Sequence, residues 1–294
     1  MLKPIVTALA LATVAVLGAG PALAGGESKK PKHQEWSWDG PFGTYDRAAV
    51  QRGFQVYKQV CSACHGMKML SYRNLGETGG PFQAVAPKKW QEKGVDPVLG
   101  LPGHGKYTVA PTDNPYVKAL AADYTTKEIN PETGDIDERP ARPADKFVYP
   151  YENEGQGRAA NGGAYPPDLS VITKARHYGA DYIYAFLTGY GQPIPPGIDE
   201  IEGKHWNPYY KGGWVSMADQ VGVAAEAEAI SYAEGQPKAT KEQIAKDVVT
   251  FLQWAADPHM EARKSMGVQV LAYLFILSLL LYLAYRQVWR NTKH

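Results

Sequence analysis

Apolar residues crowd both ends of the chain and thin into short periodic stripes between them. Near the start, a single Lys3 precedes an apolar run from Ile5 to Leu17, followed by Gly20, Pro21 and Ala22-Leu23-Ala24. That order is a secretory leader with a small-residue cleavage site, so residues 1–24 are expected to be removed. Near the other end, Met266 to Tyr285 is apolar apart from Gln269, Ser278 and a few tyrosines. At about 1.5 Å per residue, such a helix covers roughly 30 Å, the hydrocarbon thickness of a bilayer. Between these ends the spacing predicts a helix from Asp46 to Val60, with Val50, Phe54, Tyr57 and Cys61 on one stripe. A second helix starts at a Thr240/Gln243 capping box, buries Ile244, Val248, Phe251, Leu252 and Ala255, and stops at Asp257-Pro258. A short third is predicted over Tyr182–Thr188, with Asp181 in its first turn and Gly189 after it.

From Gly79 to Gly213, glycine and proline are abundant. Pro111–Pro115, Asn130–Gly134 and Gln192–Gly197 read as turns. So much irregular chain in one compact unit calls for a ligand that organises it. The domains expected are a leader at 1–24, an exported domain at 25–264, a transmembrane anchor at 265–286 and a tail at 287–294.

Charge adds orientation. Arg286, Arg290 and Lys293 follow the span with no acid after it, which places the tail on the cytoplasmic side and the bulk of the chain outside. The whole chain carries +1; without Lys3 and those three cations, residues 25–264 carry −3. A mildly acidic domain argues against nucleic acid and allows docking of a basic soluble partner.

The two cysteines decide the chemistry. An exported chain would normally pair two cysteines in a disulfide, but Cys61 and Cys64 lie in Cys61-Ser62-Ala63-Cys64-His65. C-x-x-C-H is the attachment sequence of c-type haem: two thiols form thioether links with the vinyl groups, and the histidine supplies an axial nitrogen. A redox dithiol would need a thioredoxin-like context, and a zinc site a second ligand pair; neither is visible. For the opposite axial position, Met67 and Met69 stand too close to His65, and Met260 and Met266 belong to the stem and span. Met217 lies in an irregular stretch before the closing helix, with His104, His177 and His205 as rivals. The order of helix, haem motif, loops and closing helix is that of class I cytochrome c domains, with Gly53 allowing the first and last helices to cross closely. The fold class expected is all-α, with long haem-wrapping loops and one C-terminal transmembrane helix.

Longer matches narrow this. They are Arg52–Tyr57 leading into the haem motif, Tyr72-Arg73-Asn74-Leu75, Asn161–Ser170 with Pro166-Pro167-Asp168-Leu169-Ser170, Ala175-Arg176-His177, Asp181–Tyr184, Leu187–Tyr190, Asn207–Tyr210 and Ala245–Ala256 before the anchor. Over nearly the whole mature length, the chain resembles the cytochrome c1 family of alphaproteobacterial type, the haem subunits of ubiquinol–cytochrome c oxidoreductase (complex III). The resemblance implies one covalent haem c with two thioether links, Met217 as axial ligand beside His65, Arg176 on a haem propionate, and Tyr182, Asn161, Pro166 and Pro167 lining the pocket. It implies an electron taken from a Rieske iron–sulfur subunit and passed to a soluble c-type cytochrome, in contact with cytochrome b and, through the anchor, with lipid. It further implies an inner-membrane, single-pass chain whose haem domain is periplasmic and which is an electron carrier rather than a complete enzyme. The family's methionine is usually followed by prolines, whereas Met217 precedes Ala218-Asp219-Gln220, which puts the rigidity of that loop in question. A tethered cytochrome serving a terminal oxidase and a haem enzyme or gas sensor with an open iron are the rival readings.

Overall fold

The computed structural model describes residues 28–83 and 110–291; the leader at 1–24, His104 and Lys293 lie outside the described residues. The first helix, α1 (Arg47–Val56), starts where the Asp46 carboxylate accepts from the backbone N–H of Ala48 and Ala49. Instead of continuing unchanged to Val60, it widens into a π-helical turn, Tyr57–Cys61, in which Ser62 N–H reaches back to the Tyr57 carbonyl at 2.8 Å. Such a turn lets side chains project at a spacing that an α-helix does not offer. A 3₁₀ turn, Tyr72–Gly76, and α2 (Pro115–Ala122) follow.

Next come β1 (Thr125–Ile129) and β2 (Ile136–Pro140), paired antiparallel from Thr125↔Pro140 to Ile129↔Ile136. The remaining elements are α3 (Glu154–Ala160), α4 (Gly179–Thr188), β3 (His205–Trp206), β4 (Trp214–Val215), α5 (Gln220–Glu226), α6 (Lys241–Ala256) and α7 (Met260–Trp289). The fold is therefore mostly helical, and the two small antiparallel pairs, β1–β2 and β3–β4, depart from an all-α plan. The β1–β2 hairpin closes through the turn Asn130–Gly134, where the Asn130 side chain accepts from Glu132 N–H and Gly134 takes a positive φ.

The core forms where α1 crosses α6. A Cβ on Gly53 would lie 2.0 Å from the Asp247 carbonyl oxygen, so the two backbones touch at the position expected from sequence. Phe54, Tyr57, Phe251 and Trp254 are buried at this crossing, with Phe54 edge-on to Phe251 at 5.5 Å. Beside it, Arg52 donates bidentately to the fully buried Asp247, from Nε at 2.9 Å and Nη2 at 2.8 Å. That carboxylate also draws the Gln243 amide at 3.1 Å. The capping box at α6 is thus only half formed: Thr240 Oγ1 accepts from Gln243 N–H, but the Gln243 side chain serves Asp247 instead of turning back. The fully buried carboxylate draws the amide in preference to the exposed cap.

Helix α4 begins three residues before the predicted start, because Tyr178 adopts a left-handed backbone (φ 65°) that opens the helix at Gly179. Helix α7 likewise begins ahead of the apolar run. Along its length only Met260 is buried, and it is long and apolar enough to cross a membrane; among the described residues it is the one such helix.

Candidate metal centre

The π turn leads into a tight turn in which Cys64 N–H and His65 N–H both donate to the Cys61 carbonyl, at 3.1 and 2.9 Å. This holds the two free thiols and the imidazole on one short stretch of chain. Tyr57, buried in the core, donates its hydroxyl to the His65 carbonyl at 3.1 Å and so ties the motif to α1. Burial, with the Cys64 thiol adding to it, pushes the Cys61 thiol up to about 12.

His65 Nδ1 lies 2.8 Å from the carbonyl oxygen of Pro167. A carbonyl only accepts, so Nδ1 carries the proton and Nε2 keeps its lone pair free. Burial also holds the imidazole below its ordinary value, favouring the neutral form that binds metals. The Pro167 carbonyl is placed by a second line of bonds. Asp168 accepts from Lys68 N–H at 2.8 Å and from Ser170 N–H at 2.9 Å, Ser170 Oγ accepts from Met69 N–H at 3.1 Å, and Leu169 N–H donates to the Gly66 carbonyl at 2.9 Å. Residues 166–170 therefore run alongside 65–69. Gly66 is required there, since a Cβ would meet the Tyr149 ring at 1.8 Å.

The other residues expected at the site fall into two groups. Pro166 is buried and Pro167 exposed. Asn161 donates to the Tyr151 hydroxyl at 2.8 Å and to the Gly157 carbonyl at 2.7 Å. The second group gathers at α4. Tyr182 stacks on Phe186 at 6.1 Å; burial pushes its hydroxyl up while the nearby Arg176 charge pulls it down. Arg176 is exposed; its Nη1 donates to the Ala175 carbonyl at 3.1 Å, and among the described residues no carboxylate pairs with it.

Met217 is half-buried between β4 and α5, and its carbonyl accepts from the Tyr190 hydroxyl at 2.9 Å. The loop after it is pinned without prolines. Asp219 caps α5 by accepting from Gly222 N–H at 2.8 Å and takes the Lys241 ammonium at 2.6 Å. His177 and His205 are both exposed, the first packed on Tyr178.

Sequence reasoning passed over Asp168, Ser170, Tyr151 and Tyr190 as working parts. Asp168 carried a legible sign: an Asp two residues before Ser170 is an Asx-turn pattern. Its bond to Lys68, 100 residues away, had none.

A family model described as the Cytochrome C1 family matches residues 36–292. Cytochrome c1 of Rhodospirillum rubrum is 37% identical, over 96% of this chain and 94% of its own length. The mitochondrial "Cytochrome c1 1, heme protein" of Arabidopsis thaliana is 42% identical, over 84% of this chain and 67% of its own. "Cytochrome b/c1" of Bradyrhizobium diazoefficiens is 38% identical over 97% of this chain, which spans 40% of that relative's length.

Proposed function

The chain belongs to the cytochrome c1 family, and on that premise we propose that it is the membrane-anchored haem subunit of ubiquinol–cytochrome c reductase. It takes one electron from a Rieske iron–sulfur protein and passes it to a soluble c-type cytochrome. The single observation that carries the reading is the His65–Pro167 bond, because it leaves Nε2 of a neutral imidazole free beside two free thiols. That donor set fits a covalently attached haem: Cys61 and Cys64 would form its two thioether links, and His65 and Met217 would ligate its iron. When bound, the haem supplies the one-electron chemistry.

The protein's own contribution is positional. The Pro167 carbonyl fixes the His65 tautomer, the Asp168 and Ser170 bonds hold that carbonyl in place, and Tyr190 and Asp219 restrain the loop carrying Met217. The unpaired guanidinium of Arg176 suits a haem propionate, and Tyr182, Asn161, Pro166 and Pro167 line the pocket. Residues 25–264 form the periplasmic domain, 265–286 cross the inner membrane once, and 287–294 are cytoplasmic. The name of the Bradyrhizobium relative couples b with c1, which supports cytochrome b as a neighbour. A domain of net charge −3 suits a basic acceptor.

The test is an optical spectrum of the membrane-extracted protein before and after acid–acetone, together with its co-purifying subunits. Haem that resists extraction, with cytochrome b and a Rieske protein present, is expected. A colourless polypeptide would remove the cofactor, and purification without those partners would favour a free-standing tethered cytochrome.

A further inference from the structure

Phe42 is 80% exposed, the most exposed large hydrophobic side chain among the described residues, the bare anchor helix included. It does not sit on a slack segment. The loop from Trp36 to Tyr45 is closed by Thr44 N–H to the Ser37 carbonyl at 3.0 Å, Asp39 N–H to the Trp36 carbonyl at 3.0 Å, and Trp36 N–H to the Asp39 carboxylate at 3.0 Å. Gly40 supplies a positive φ of 70°, and Gly43 packs so tightly that a Cβ would lie 2.2 Å from the Asp39 carbonyl oxygen. Beneath the tip, Trp36 and Trp38 are buried and stacked at 4.7 Å. The chain thus builds a rigid turn whose outermost group is a bare phenyl ring.

Its height relative to α7 is set by Lys264. The ammonium donates to the carbonyls of Trp38, Gly40 and Gly43 at 2.6, 2.7 and 3.2 Å, on both sides of Phe42. Lys264 precedes the start of the apolar run at Met266 by two residues, about 3 Å of helix rise, and side chains on a helix lean toward its N-terminus. The ammonium, reaching back from the run, therefore fastens the loop to α7 on the haem-domain side of the hydrocarbon edge. The polar layer on each side of a bilayer is roughly 5–7 Å deep, the layer where exposed aromatic rings settle.

We propose that Phe42 is a second membrane contact of this chain, a preformed aromatic peg inserted into the headgroup layer of the leaflet that α7 enters from the haem-domain side. A rigid peg gives up little conformational entropy on insertion. With the Lys264 lock, it fixes the tilt and rotation of the haem domain on the bilayer, where a lone helix would let the domain swing. The Asp39 carboxylate accepts from Trp36 N–H and lies 3.7 Å from His33, three residues before the tip.

The proposal rests on the reading that α7 spans the membrane, and the experiment separates the two. A benzoylphenylalanine photoprobe is placed in turn at Phe42, at Ile276 in mid-span and at exposed Glu132 on the β1–β2 turn. The full chain is reconstituted in phosphatidylcholine vesicles, irradiated and weighed by mass spectrometry. Phospholipid adducts at Phe42 are expected at a yield close to that at Ile276 and several-fold above that at Glu132. A Phe42 yield no higher than that of Glu132, with Ile276 labelled, overturns the peg and leaves the span intact. No lipid adduct at Ile276 removes the span and the peg together. The same probe at Phe42 in native membranes must also capture lipid; capture of a protein subunit in its place would mean that a partner covers the loop, and would overturn the proposal.

Discussion

His65 and Pro167, 102 residues apart, are joined by a 2.8 Å bond from Nδ1–H to a backbone carbonyl. An imidazole whose tautomer is chosen by its neighbour has one nitrogen left to donate, the one that on the proposed ligand set would bind the iron. The neighbour is a main-chain carbonyl, so its precision depends on whatever holds residues 166–170 against 65–69.

Asp168 is the main holder, accepting from two backbone N–H groups. Asp168→Ala should cost about 1.5–3 kcal/mol, the usual worth of hydrogen bonds to a charged group. The melting temperature should fall, and hydrogen exchange should quicken at the amides of Lys68 and Ser170. Unchanged exchange at those two amides would show that the clamp lies elsewhere.

The Gly53 contact gives a steric prediction. A methyl group at this position would sit 2.0 Å from the Asp247 carbonyl oxygen and 2.7 Å from the Phe251 Cβ, so α1 and α6 must separate. Gly53→Ala should destabilise by about 1–3 kcal/mol, the cost of overpacking, despite alanine's better helix propensity. A denaturant midpoint equal to that of the parent would contradict the crossing.

How far sequence reasoning reached depended on the range of the forces involved. Asp46 and Thr240 announce helix starts because a cap bonds two or three residues ahead, and Gly53 announces a crossing because a residue without a side chain permits close approach. The C-x-x-C-H motif is legible because its chemistry is local. The β1–β2 hairpin was not, since both strands are solvent-exposed and lack the alternation that marks a strand with a buried face. The widening at Tyr57–Cys61 and the pairing of Asp168 with Lys68 arise from tertiary packing and leave no periodic trace. The early start of α7 was hidden for another reason: Glu261, Arg263 and Lys264 look like a polar flank, yet each bonds to the domain.

That last point sets where the domain ends. Glu261 accepts from Tyr45 N–H at 2.8 Å and pairs with Arg47 at 2.5 Å, and Lys264 holds three carbonyls. A chain ending after Ser265 should be soluble and as stable as the parent domain. One ending after His259 should lose about 2 kcal/mol, allowing for the partial exposure of the Arg47 pair. Calorimetry of the two fragments decides it, and equal melting temperatures would make the first turns of α7 mere linker.

The N-terminal segment offers a pH test. Asp181 accepts from the Trp36 indole at 2.7 Å and from Gln34 N–H at 3.1 Å, and it pairs with His33 at 2.8 Å. The bond to Asp181 raises the His33 value above its usual 6.5. A raised histidine adds stability that is full below 6.5 and fades as pH climbs through the higher folded value. The melting temperature of His33→Ala should thus lie below that of the parent at pH 6 and converge with it as pH rises through the raised folded value. A gap that widened with pH would reverse the sign and exclude the pairing.

On the proposed ligand set, Met217→Leu is the sharpest test of the iron. Leucine keeps the bulk beneath Tyr190 while removing the sulfur, so packing and the Tyr190 bond to the residue-217 carbonyl should persist, and haem should stay covalently attached through Cys61 and Cys64. Loss of a thioether ligand lowers the potential and opens the metal to small molecules. A redox titration should therefore shift downward, and the ferrous protein should bind carbon monoxide, which the parent should resist. If Met217→Leu titrates like the parent and still excludes the gas, the sixth ligand is another residue. His177 and His205, both exposed in the structure, would then be replaced one at a time in the same assay.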